Sequence, residues 1–420
     1  MMRSALTTFV LALLAAWPVI AEDVVLSCGT YGSESNICES SVQRWERKTG
    51  HRVSYVQVPK KTNDQLDFFR MALAQPKPDE PLDVVMVDAI WINFIEQYLI
   101  NLAPLSNGTE GEHFRALIDN ATFEDELKAM PLWTGVGLMY YRADLLEKHG
   151  EPVPHTWEEL EQIAARVQEK ERKANPDFWG LVFEATSGEG LTCNALEWLS
   201  ALGGPPILDE NGKVSVDAPE AMATYRRVKS WLGNIAPPSV VDMNNEQARM
   251  VFQNGNALFM RNWPYAWAPL QRAESPLRGK VGVMSMLAGS AGTGQGVHGG
   301  WYLGVSRTAK NPALAADLVL HMTSRDEQLQ RALFHSQNPT RPALYADPDV
   351  RAVSSFFEVV YDGLQTAVNR PNAQMRGSYI YVSNAYSDTL SRYLASKDDD
   401  PIPLFVELQD HLSRLQRRDW

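Results

Sequence analysis

Three cysteines in 420 residues cannot staple a fold, which excludes a small disulfide scaffold and leaves room for one internal bridge at most. Positive charge is also scarce. Against 51 Asp and Glu stand 39 Lys and Arg, a formal net charge of -12, so the chain lacks the basic face that displaces counterions from nucleic acid. The eight histidines are scattered, and no HExxH, Cys-x-x-Cys, Gly-x-Ser-x-Gly or Walker A spacing occurs. No catalytic, cofactor-binding or metal-ligating motif is therefore assigned, while the paired carboxylates of a glycosidase, which meet only in the fold, stay open. Past residue 20 no apolar run reaches the ~20 residues of a membrane-spanning helix. What is plentiful is apolar and aromatic: 45% hydrophobic residues and 12 tryptophans, enough for two or three lobes at roughly 100–200 residues per domain.

The N-terminus reads as an export signal. Arg3 supplies the positive end, Thr7 to Ile20 form a 14-residue apolar stretch, and Val19-Ile20-Ala21 offers a cleavage site after Ala21. Export implies an oxidising compartment, where Cys28 and Cys38, with nine residues between them, are close enough to bridge. Two reduced thiols are one alternative. Lipid attachment at Cys28 is another, with Glu22 and Asp23 standing against it. Cys193 is read as a small buried hydrophobe near a helix start.

Strands and helices then alternate. Asp23–Cys28 and Val53–Val58 read as strands, Ser40–Lys48 as a helix with Val42 and Trp45 inward. Thr62 and Gln65 form a capping box before Leu66, Phe69 and Leu73. The continuously apolar Asp83–Val87 suits a strand buried on both faces of a parallel sheet. This βαβαβ order predicts a doubly wound α/β lobe. A second lobe follows the strand-like Leu132–Tyr141, with capped helices starting at Thr156/Glu159, Asp217/Glu220, Asn311-Pro312 and Ser324/Glu327. Gly294-Gln-Gly-Val-His-Gly299 matches GxGxxG, but a strand follows it where a dinucleotide site needs a helix, so it is read as a mobile loop. His298 within it is read as solvated. Asn107 and Asn120 begin sequons that matter only in a eukaryotic secretory route, and Asp398–Asp400 is read as a solvated turn.

Ligands of open α/β sheets sit at the carboxyl ends of strands. Asp88 ends the Asp83–Val87 strand, and Glu34 follows the first strand near the next helix. A carboxylate in such a place grips adjacent hydroxyls, though Asp88 could equally cap a helix. Trp133, Trp263, Tyr265, Trp267 and Trp301 cluster near strand ends and turns, where an aromatic face packs on the C–H face of a sugar ring.

A family resemblance rests on ordered stretches between about Cys28 and Ser383. They are Asp83-Val-Val-Met-Val-Asp-Ala-Ile-Trp91, Gly137-Leu-Met-Tyr-Tyr-Arg-Ala-Asp-Leu-Leu146, Thr156-Trp-Glu-Glu-Leu160 and Glu189-Gly-Leu-Thr-Cys-Asn-Ala-Leu-Glu-Trp198. Phe252-Gln-Asn-Gly-Asn256, Arg261-Asn-Trp-Pro-Tyr-Ala-Trp267, Gly299-Gly-Trp301 and Arg370-Pro371 complete the set. The chain resembles a family 1 extracellular solute-binding protein of an ABC importer, in the trehalose/maltose-binding branch. The resemblance implies an α/β, two-lobe periplasmic-binding-protein fold, hinge-linked, that closes over a carbohydrate-like small molecule and presents it to ABC permease subunits, without covalent chemistry. It implies Glu34 and Asp88 as hydroxyl acceptors and Trp263, Tyr265 and Trp301 as a stacking platform. Beside them stand the Gly300 backbone, Trp133 as a subsite wall, and Arg370 as a donor to ring oxygens. The expected organisation is a signal peptide over 1–21, a first lobe of 22–132 and 287–322, and a second of 133–286 and 323–420, in a periplasmic monomer.

Departures from the branch matter too. Trp133 and Gly135 stand where a tyrosine and an aspartate are expected, and Gln65 or Leu66 where an arginine is. Losing a carboxylate and a guanidinium removes two contacts worth about 1.5–3 kcal/mol each when buried. The cleft is therefore expected not to read trehalose in the usual way, and to take a monosaccharide, a modified disaccharide or another polyol-like solute. An exported carbohydrate-active enzyme and a ligand-sensing adaptor are the rival readings.

Overall fold

The computed structural model describes residues 21–28, 33–59, 62–76, 81–292 and 294–418, and for residues 33–37, 62–64, 372, 373 and 376 the backbone alone. The apolar leader, the Glu34 carboxylate and the Thr62 hydroxyl lie outside the described residues and side chains.

Strands β1 (Asp23–Ser27), β2 (Arg52–Tyr55), β3 (Val84–Asp88), β6 (Met130–Val136) and β11 (His298–Val305) form one sheet in the order β2-β1-β3-β11-β6. β1 runs parallel to β2 and β3, whereas β11 runs antiparallel to β3 and β6. A two-stranded ribbon, β4 (Thr122–Phe123) with β5 (Glu126–Leu127), precedes β6. The second sheet joins β7 (Leu138–Arg142), β8 (Trp179–Val182), β9 (Ala257–Asn262) and β10 (Val281–Met284) in the order β10-β7-β9-β8. β3 is buried along its apolar run, as its unbroken hydrophobicity demands, and only Asp88 at its end is partly open.

The expected single strand over 132–141 is two strands in two sheets. The break falls at Gly137, whose N–H donates to the Val297 carbonyl at 3.1 Å. A Cβ there would lie 1.8 Å from Glu197 Oε1, so the chain crosses where only glycine fits. β6 thus belongs wholly to the first sheet, and the first crossing lies beyond the 132/133 cut. The second crossing falls between β10 and β11, where Val368 donates to Gly296 at 2.9 Å and His298 to Val368 at 3.0 Å. The helix Arg325–His335, assigned above to the second lobe, packs on helices Ser33–Thr49 and Pro312–Met322 of the first. Its Glu327 takes Arg44 at 2.6 and 2.7 Å and Ser41 at 2.5 Å.

Local signals set most helix starts. Thr156 and Glu159 make the reciprocal capping box, and Asn311 and Ser324 cap their helices. Asp217 and Glu220 do not. That helix opens at Pro219 behind Ala218, with proline's fixed φ in place of a side-chain cap. Five tryptophans, Trp45, Trp91, Trp157, Trp198 and Trp231, are wholly buried, and Trp157 stacks on Trp231 at 5.0 Å. Each such ring contributes about 5 kcal/mol by area, an upper figure. Among the described residues no helix is long and apolar enough to cross a membrane.

Candidate functional site: an aromatic and acidic cluster between the two sheets

Antiparallel pairing lines up the site. β11 places Trp301 opposite Asp88 of β3 and, on its other side, opposite Trp133 of β6. Residues directly paired across antiparallel strands share a face, so one carboxylate and two indoles form a row across the sheet. Trp301 and Trp133 are tilted at 41° with ring centres 6.4 Å apart, and the buried Trp91 meets Trp301 edge to face at 5.5 Å. The register shifts immediately after Trp301, as a bulge does where a side chain is re-aimed. Gly300 gives its carbonyl to Ala89 N–H at 3.0 Å, and a Cβ there would sit 3.1 Å from the Trp133 carbonyl.

Trp263 comes from the second sheet and lies against the first. A Cβ on Gly299 would touch its ring at 3.0 Å. Arg261 covers the same ring with its guanidinium 4.4 Å from the centroid, and Tyr140 donates to the Trp263 carbonyl at 2.9 Å. Tyr265, two residues on, is 37% exposed in the 3-10 turn Pro264–Ala266. Trp267, counted among the clustered aromatics, instead stacks on Phe356 at 5.2 Å.

Arg370 joins the two lobes electrostatically. Its Nη1 lies 3.4 Å from Asp88 Oδ1 and 3.2 Å from Glu189 Oε1. Burial acts to lower the guanidinium's affinity for its proton, but Asp88 and Glu189 outweigh it and hold the group firmly charged. Asp88 Oδ1 also accepts the Ile90 N–H at 3.1 Å in an Asx turn, whereas the following helix Ile92–Ile95 starts behind Trp91 without a side-chain cap, so the carboxylate does not cap it.

Glu189 was not among the residues expected in the site, and neither were Tyr379 or Ser383. Glu189 opens the helix Glu189–Leu202 after Gly188, whose φ of 147° suits glycine. It accepts from Tyr379 at 2.8 Å and from Ser383 at 2.5 Å. Burial raises its carboxyl above the ordinary range, with Arg370 opposing. Nothing local marks these three as partners, because they meet from positions about 190 apart in the chain.

The departures acquire physical causes. A Cβ at Gly135 would meet the Pro264 ring at 3.2 Å, so the aspartate expected there would need that ring to give by a few tenths of an ångström. Gln65 is buried, and its Nε2 has no hydrogen-bond partner. His298 is half-buried rather than free in solvent: its Nε2 lies 2.9 Å from Thr134 Oγ1, and burial with Arg370 nearby lowers it to about 4. Cys28 and Cys38 are bonded, tying the end of β1 to the following helix, and Cys193 is buried and free. Among the described residues no group of three or more His, Cys, Asp or Glu could hold a metal ion.

Residues 32–329 match the family model of the bacterial extracellular solute-binding proteins. A "Probable ABC transporter-binding protein" of Deinococcus radiodurans is 40% identical over 411 residues, covering 97% of each chain. The maltose-bound T. maritima MalE3 structure superposes with a TM-score of 0.87 at 31% identity, over 94% of this chain and 100% of that one. The GacH receptor of Streptomyces glaucescens, at 22% identity, shares the fold with a TM-score of 0.83 over 95% of this chain and 99% of that one.

Proposed function

The chain belongs to the bacterial extracellular solute-binding proteins, and from that premise we propose that it captures a sugar or sugar-like solute between its lobes and delivers it to an ABC permease. The observation that carries this reading is the row Asp88–Trp301–Trp133 on one sheet, faced by Trp263 of the other and bridged by Arg370 to Glu189. Indole faces take the C–H faces of a pyranose or polyol, while the carboxylates accept its hydroxyls. The maltose-bound relative supports the same class of ligand. Closure of the lobes expels water and strengthens those hydrogen bonds, and no bond of the solute is broken.

Trp133 gives a larger wall than the tyrosine of the trehalose/maltose pattern, and the Pro264 ring crowds the place of its aspartate. We therefore place a monosaccharide, modified disaccharide or polyol ahead of trehalose. Glu34, Tyr265 and the Gly300 backbone complete the proposed contacts. Export behind the leader 1–21 places the mature chain, a monomer, in the periplasm.

A thermal-shift screen of sugars, sugar acids and polyols tests the reading, since any tight binder stabilises by mass action. Trp301→Ala should then lose at least tenfold in affinity by calorimetry, about 1.4 kcal/mol. Unchanged affinity removes Trp301 from the site. A shift by trehalose or maltose alone defeats the argument from Trp133 and Gly135.

A further inference from the structure

Glu184 lies two residues past the end of β8 and has no role in the site as described so far. β8 runs parallel to β9 as far as Val182 beside Met260, so Glu184, two residues on, leaves the sheet at the same end as Asn262 and Trp263. This is the carboxyl end of two parallel neighbours, the place where open α/β sheets bind ligands. Glu184 is buried to within 7%, and its Oε2 has no hydrogen-bond partner. The first turn of the Glu189–Leu202 helix is cut away to admit it: a Cβ on Gly190 would fall 1.8 Å from Oε2. Asn194 secures the backbone by donating to the Glu184 carbonyl at 2.7 Å.

A buried carboxylate without a donor is costly, and it either takes up a proton or waits for a partner. We propose that Glu184 is a specificity-determining residue of the cleft, whose carboxylate accepts a hydroxyl of the bound solute beside the Trp263/Tyr265 platform. The assignment rests on the sugar-capture reading above. Burial raises the Glu184 carboxyl to about 7, with Arg261 opposing and Glu189 adding to the rise. Arg261 faces it from β9 and Glu189 from the helix. Tyr265 feels its charge, while Glu246 and Arg249 act on Tyr265. Asp242, ending the turn whose Val240 and Met243 carbonyls take the Ala185 N–H, is exposed. A hydroxyl donating to the charged form favours that form, so solute binding draws the proton off and affinity rises as pH rises through about 7.

The test uses the full chain with maltose, mannitol and ribitol as probes, first by thermal shift and then by calorimetry at pH 5.5, 7 and 8.5. The affinity of a stabilising probe should rise at least fivefold from pH 5.5 to 8.5. Glu184→Gln should flatten that rise and bind at least tenfold more weakly at pH 8.5, while its unliganded melting temperature stays level or increases. Glu184→Asp, which keeps the charge, should retain the rise. A Glu184→Gln protein with wild-type affinity and pH profile overturns the assignment while leaving sugar capture intact. If no probe stabilises the wild-type chain, the sugar reading falls and takes this assignment with it.

Discussion

Two buried ion-pair systems lie near one another in this protein and are built to different standards. Arg261 holds Glu197 through two bonds of 2.5 and 2.7 Å, both side chains are at most 1% exposed, and Glu197 Oε1 also accepts Val297 N–H at 3.0 Å. Arg370 holds Asp88 and Glu189 at 3.4 and 3.2 Å, and both carboxylates keep 16% exposure. Bidentate, fully desolvated pairing gives rigidity, and it sits where the chain crosses between sheets at Gly137 and Val297. Long, single contacts at the edge of water leave acceptor sites open. The first system is architecture. The second is unfinished in a way that a hydroxyl-bearing solute completes.

Breaking the tight pair should have the largest effect. Arg261→Met leaves Glu197 buried without its counter-charge, and denaturant unfolding should lose about 3–5 kcal/mol of stability. Arg370→Met should cost less stability, because water reaches its carboxylates, but calorimetry should show affinity down at least tenfold, about 1.4 kcal/mol or more. Equal destabilisation by the two substitutions would erase the distinction drawn here. A third test uses the histidine that lies beside Arg370. His298 is lowered to about 4, so the unfolded chain takes up a proton there before the folded one does. Its share of stability is full above pH ~6.5 and drains as pH falls toward about 4, about 1 kcal/mol by pH 5.5. His298→Asn should shallow that acid limb of the melting curve, and an unchanged limb would show that the ring does not couple. The smallest effect belongs to Arg226–Asp400, half exposed at 2.9 Å, where Arg226→Ala should change stability by less than about 0.5 kcal/mol.

The two systems also differ in how legible they are. Asp88 and Trp301 stand out because strand ends and aromatic clusters are local patterns. Arg370 was expected as a donor to the ligand, and its pairing with Asp88 and Glu189 emerges only when segments about 180 and 280 residues away converge. Glu184 carries no motif at all. Its isolation is a property of the space around Gly190, which no residue pattern encodes. The single strand expected over 132–141 failed for a related reason: apolar periodicity runs straight through Gly137, while the sheet change there answers to Glu197.

By itself the sequence determined the α/β alternation, the capped helix starts at Thr156, Asn311 and Ser324, the acidic balance, and an aromatic set near strand ends. These follow from chemistry within a few residues, where periodicity, caps and turn formers act. Tertiary structure alone decided which carboxylates share Arg370, how closely Pro264 crowds Gly135, and where the chain passes between sheets. Those outcomes depend on distances between segments far apart in the chain, and packing sets such distances only once both sheets are in place.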